Sequence, residues 1–101
     1  MNRKECLTSA ETCVTGQRQK DYGKVEENFS NIGLLWGVYL RAAHPQYAQV
    51  MAINGIDAKD VSMMMSLLKI ARIASPSATE DSFVDLAGYA ACGCEIATDK
   101  K

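Results

Sequence analysis

Apolar side chains return every three or four residues along four stretches of this chain, and no stretch shows the convincing two-residue alternation of a half-buried strand. The first stretch runs from about Arg3 to Lys20. Cys6, Leu7, Ala10, Cys13, Val14 and Gln17 form a stripe there, with charges and threonines opposite. Asp21-Tyr22-Gly23 closes it, because glycine suits the left-handed stop of a helix. The second stretch runs from about Glu26 to Arg41, with Phe29, Ile32, Leu35, Trp36 and Tyr39 on its apolar face. Gly33 and Gly37 lie four apart and leave room for another helix to approach. His44-Pro45 breaks this helix, since the residue before a proline is pushed out of the helical region. Residues 46–55 read as a connector with room for one helical turn.

The third helix starts after Asn54-Gly55. Asp57 is placed to cap it and Asp60 stands where a capping-box partner would. Val61, Met64, Met65, Leu68 and Ala71 carry its apolar stripe to about Ala74. Ser75-Pro76-Ser77 forms a turn. The fourth helix runs from near Thr79 to about Thr98 on small side chains: Leu86, Ala87, Gly88, Ala90, Ala91 and Cys94. The expected fold is all-α, a four-helix bundle-like single domain. Its last two helices should form an antiparallel hairpin, since only a few residues join them.

Composition sharpens this picture at two points. Of the 101 residues, 48% are hydrophobic, more than so small a chain hides easily, so an oligomer is expected, a homodimer or homotetramer. Eleven basic and twelve acidic side chains leave a net charge of −1, which gives no electrostatic drive toward duplex nucleic acid. The longest apolar run, residues 32–40, is too short to span a membrane, and the charged start has no apolar stretch behind it. A cytoplasmic location is therefore expected. Cys6, Cys13, Cys92 and Cys94 lack the usual zinc-knuckle spacing and read as buried free thiols.

Candidate chemistry lies on the polar positions that face inward. On the fourth helix Asp81, Asp85, Gly88 and Cys92 share a narrow face bordering the apolar surface. On the third, Arg72 falls inside the apolar stripe and Lys69 at its edge. On the second, Asn28 and Asn31 lie among apolar residues, with Glu27 at the margin. A hairpin would bring Lys69 and Arg72 toward Asp81 and Asp85. Two carboxylates one turn apart suit a hard divalent cation, and cations beside them suit phosphate oxygens. The same residues also fit a structural ion pair that locks the hairpin, with Asp81 favoured simply by the helix dipole.

Several motifs then come together: Asp21-Tyr22-Gly23, Glu27-Asn28-Phe29, Leu35-Trp36, Asp60-Val61-x-x-Met64-x-x-Leu67-Leu68-Lys69-Ile70-Ala71-Arg72 and Asp81-Ser82-x-x-Asp85-x-x-Gly88-Tyr89. From about Asp21 to Ile96 the chain resembles a family of small phage and prophage proteins. That family in turn resembles a divergent branch of the MazG-like all-α NTP pyrophosphohydrolases. The resemblance implies a Glu-x-x-Glu pair and a Glu-x-x-Asp pair that bind Mg²⁺ (or Mn²⁺), and a hydrolase reaction turning a nucleoside triphosphate into a monophosphate and pyrophosphate. Such an activity would belong to phage nucleotide metabolism.

By position, Asp85 matches the final Asp of the second pair. Asp81 stands one residue before the expected acid, where Ser82 falls, and Asn28-x-x-Asn31 offers amides in place of the first pair. The implied roles are metal binding and catalysis for Asp85, Asp81 and Glu27, and substrate contact for Lys69, Arg72, Asn28, Asn31 and Tyr89. The amide substitutions keep a second reading open, a catalytically silent nucleotide-binding protein. The apolar surplus and the small-residue faces keep a third, a structural helical interaction module.

Overall fold

A computed structural model describes residues 1–16, 20, 23–47 and 56–98. Among them lie four α-helices: α1 (Arg3–Thr15), α2 (Val25–Ala43), α3 (Ala58–Ile73) and α4 (Glu80–Thr98), with a 3-10 turn at Pro45–Tyr47 after α2. The described residues contain no strand, as the periodicity predicts.

Local chemistry sets most helix ends. The Asn2 side chain accepts the Glu5 amide at 2.8 Å and starts α1. Asp57 does the same for the Asp60 amide at 2.8 Å and starts α3 as expected. Gly23 has the expected left-handed conformation, with φ 76°, but it stands ahead of α2 and is not the stop of α1, which ends at Thr15. His44 follows the last residue of α2, ahead of Pro45. One boundary differs: α1 ends at Thr15 with Gly16 as its cap, short of the expected Lys20. Residues 17–19, 21, 22 and 48–55 lie outside the described set, and with them part of the first stripe, the Asp21-Tyr22 stop and most of the connector.

Helices α3 and α4 form the expected antiparallel hairpin. Ser62 Oγ donates to the Tyr89 carbonyl, and Lys69 Nζ stands 3.0 Å from Asp85 Oδ2. Small residues let the two axes approach. A Cβ on Gly93 would stand 2.7 Å from Ser62 Oγ. Helix α1 lies on α4 and starts beside it, with the Met1 ammonium 2.9 Å from Glu80 Oε1. Helix α2 packs on α3 and touches α4 much less. The buried centre is Phe29, Ala58 and Val61, flanked by Val25, Ile32, Trp36, Ile56, Met65, Tyr89, Cys92 and Ile96.

The inward faces differ from the predicted stripes. On α2 Phe29, Gly33 and Gly37 are buried, while Leu35 and Tyr39 are each 67% exposed. The physical reason is that α2 is apolar around its circumference from Ile32 onward, so periodicity does not single out one side. The contact side is instead the one where glycine admits backbone: a Cβ on Gly33 would overlap the Ile56 carbonyl oxygen just ahead of α3. On α3 the buried positions are Ala58, Val61, Ser62 and Ser66, and Met64, Leu68 and Ala71 are exposed. On α1 Ala10 is buried but Leu7 and Cys13 are exposed. On α4 Ser82, Val84, Gly88 and Gly93 are buried, and Ala90, Ala91 and Cys94 are exposed.

Candidate functional site

Because α2 packs on α3 and α1 packs on α4, a cleft of about 370 Å³ opens between α1 and α2 above the hairpin. Its floor and walls are largely apolar: Val14, Val25, Phe29, Ile32, Trp36, Met65 and Tyr89. Asn28 and Asp85 supply polar groups to the same lining, with Cys13 and Cys92 on the α1 and α4 sides. Helical spacing places Asp85, Gly88, Tyr89 and Cys92 together on α4, since positions three and four apart share a face. Gly88 keeps that wall low where Val14 leans over it, and a Cβ there would stand 3.2 Å from Val14 Cγ1. The rings of Phe29 and Tyr89 meet at 6.2 Å and a tilt of 40°, which fixes one end of the aromatic wall.

Electrostatics in the cleft centre on one pair. Asp85 is 27% exposed and Lys69 12%, and their 3.0 Å bond neutralises a carboxylate that borders apolar surface. Burial pushes the Cys92 thiol above its ordinary range, and the Glu95 carboxylate adds to the shift.

The site residues expected from the sequence separate into two groups. Asp85, Asn28 and Tyr89 line the cleft, and Lys69 joins it through Asp85. Glu27, Asn31, Asp81 and Arg72 are absent from the lining. Glu27, Asn31 and Asp81 are exposed, and Arg72 is exposed as well, against its expected place inside the apolar stripe. Arg72 sits in the last turn of α3. Periodicity reports the angle of a side chain about its helix, not whether a neighbour reaches that far along it.

Magnesium or manganese prefers several oxygen ligands in a tight octahedral arrangement. Of the carboxylates, Asp85 alone borders the cleft among the described residues, and it is already bonded to Lys69. No group of three or more His, Cys, Asp or Glu is arranged to hold a metal ion among them. This donor set does not fit the cation that the resemblance implies. Sequence reasoning did not foresee Met65, Val14 and Val25 in the lining, or the buried hydroxyls of Ser62 and Ser66 in the hairpin seam. Val14 and Met65 stood on expected apolar stripes, whereas Ser62 and Ser66 carried no signal beyond small side chains one turn apart.

An all-α chain with an apolar, aromatic cleft and one partly buried ion pair is the class that these observations define. The chain belongs to the family described as "Domain of unknown function (DUF6378)", which it matches over residues 5–97. It is similar to the "Gene 55 protein" of Mycobacterium phage L5, at 42% identity over 84 residues, which is 83% of this chain and 47% of the phage protein. It is also similar to the "Gene 55 protein" of Mycobacterium phage D29, at 38% identity over 86 residues, 85% of this chain and 49% of that protein. The chain thus spans about half the length of these curated relatives. The expected likeness to phage proteins is thereby established. No solved structure matches the chain. No helix among the described residues is long and apolar enough to cross a membrane.

Proposed function

We propose that the cleft binds a nucleotide, and that the described chain is a nucleotide-binding module. The observation that carries the reading is the lining itself: Trp36, Phe29 and Tyr89 offer aromatic surface to a planar base, and Asn28 stands beside them. A carboxamide carries both a donor and an acceptor, which suits the edge of a base. An apolar pocket with a few convergent polar groups is the usual form of a small-molecule site. Asp85 adds a carboxylate that a ribose hydroxyl would engage, held in place by Lys69 behind it.

Trp36 is the sole tryptophan of the chain, so its fluorescence reports directly on the cleft. Titration with nucleosides, nucleoside monophosphates and (d)NTPs should give saturable quenching with at least one of them. A flat response across the whole panel, with no thermal shift, overturns the reading.

Pyrophosphohydrolysis is the second reading. It is favoured by Asp85, which matches the final Asp of the MazG-like second pair and does border the cleft. The described residues supply too few carboxylates for the metal, so this reading requires acidic ligands from outside them. It predicts pyrophosphate release from a (d)NTP with Mg²⁺ or Mn²⁺, lost in Asp85→Ala. Binding without release leaves the module reading standing alone.

A further inference from the structure

From residue 32 onward, the face of α2 that points away from the core is apolar, as is the face that builds it. From residue 32 to residue 43 the sequence is Ile-Gly-Leu-Leu-Trp-Gly-Val-Tyr-Leu-Arg-Ala-Ala, with Arg41 its single charged side chain. Phe29, Gly33 and Gly37 are buried, and Ile32 and Trp36 are partly so. Leu34, Leu35, Val38 and Tyr39 are all more than half exposed. A helix that is apolar around its circumference belongs in an interior, and among the described residues α2 has one side covered while Leu34, Leu35, Val38 and Tyr39 stay exposed.

The exposed side has a defined repeat. Glu27, Asn31, Leu34, Val38 and Arg41 follow one another at alternating spacings of four and three. That alternation keeps one narrow stripe in line along a helix and is the spacing of helices that pack lengthwise on each other. Leu35, Tyr39 and Ala42 widen the stripe on one side. An acid stands at its start and a base at its end, with Leu34 midway between them.

We infer that this face is the seat of a second copy of the same chain, paired α2 to α2 in antiparallel orientation about a two-fold axis near Leu34 and Leu35. The charges choose the partner and its direction. With the axis there, Glu27 falls opposite Arg41 of the partner subunit, and the symmetry repeats the pair at the other end. A parallel pairing would set like charges against each other at both ends, which is unfavourable. The same operation places leucine against leucine at the centre and removes the exposed valine and tyrosine from water. The inference is independent of what the cleft binds.

Sedimentation equilibrium over a range of protein concentrations tests it. The intact chain should be a dimer, and Leu34→Glu should be monomeric while keeping its helical circular dichroism. Charge variants at exposed Glu27 and half-buried Arg41 provide a second arm that does not depend on a central substitution. Glu27→Arg and Arg41→Glu should each weaken the dimer about tenfold, and the combined variant should recover to within about threefold of the original. Salt should shrink the deficit of each single variant. A chain that stays monomeric to its solubility limit overturns the inference. So does a dimer indifferent to Leu34→Glu, or a combined charge variant no tighter than the singles.

Discussion

Lys69 Nζ stands 3.0 Å from Asp85 Oδ2, tying the last turns of α3 to the wall of the cleft on α4. Both side chains are mostly covered, so the pair is neither a solvated surface bridge nor a fully desolvated one. Removing one partner leaves the other charge against apolar surface. Lys69→Met and Asp85→Asn should each cost about 1–2 kcal/mol of stability. The double substitution should cost less than the sum of the two, as read from denaturant midpoints. Additive losses would show that the two residues do not act on each other.

Gly33, Gly88 and Gly93 should differ in their tolerance of a methyl group. Gly33→Ala drives a Cβ into the Ile56 carbonyl, which is backbone and does not swing aside. A loss of about 3 kcal/mol or more is expected. Gly93→Ala meets Ser62 Oγ at 2.7 Å and Met63 Cε at 3.1 Å, groups with some freedom, and should lose about 1–2 kcal/mol. Gly88→Ala meets only Val14 Cγ1 at 3.2 Å, and the gain in helix propensity of about 0.5–1 kcal/mol should nearly offset it. Thermal unfolding of the three variants checks the order.

Cys92 should react slowly with iodoacetamide at mildly alkaline pH, while exposed Cys13 and Cys94 react first, because burial disfavours its thiolate. Mass spectrometry of partly labelled protein reads the order directly. The sign of the accompanying stability effect follows from proton binding. The folded state holds the thiol proton to higher pH than the unfolded state does. The Cys92 contribution is therefore fully present below the unfolded thiol range and is lost as pH rises through the raised folded value. Cys92→Ala should flatten that alkaline decline.

Asn28 is the polar side chain of α2 that borders the cleft, and its role can be separated from packing. Asn28→Ala should weaken the preferred nucleotide about tenfold and reduce discrimination among bases, with little change in unfolding temperature. Asn31→Ala, on the exposed side, should leave nucleotide binding unchanged. Equal losses from the two amides would place the ligand outside the cleft.

Asp57 and Gly23 were legible from the sequence because their roles are local: a carboxylate that caps three residues ahead, and a glycine that turns where other residues are strained. The hairpin was legible from the short link after α3, and with it the meeting of Lys69 and Asp85. The orientation of α2 was not. Leu35 and Tyr39 carry as strong an apolar signal as Phe29 and Trp36, and Gly33, which admits the Ile56 carbonyl, carries almost none. Ser62 and Ser66 escaped notice for the same reason: their burial depends on how closely α4 approaches, with Ser62 donating across the seam to the Tyr89 carbonyl and Ser66 donating back to the Ser62 carbonyl of its own helix.

The sequence by itself determined the helices, most of their ends and the antiparallel turn of the last two, because those depend on neighbours within a few residues. The tertiary structure alone decided which side of each helix is covered. It thereby gathered Asn28, Asp85 and Tyr89 around one cleft and left Glu27, Asn31, Asp81 and Arg72 in solvent. The physical reason is that a helical angle is set along the chain, whereas burial is set by how closely a distant backbone can approach.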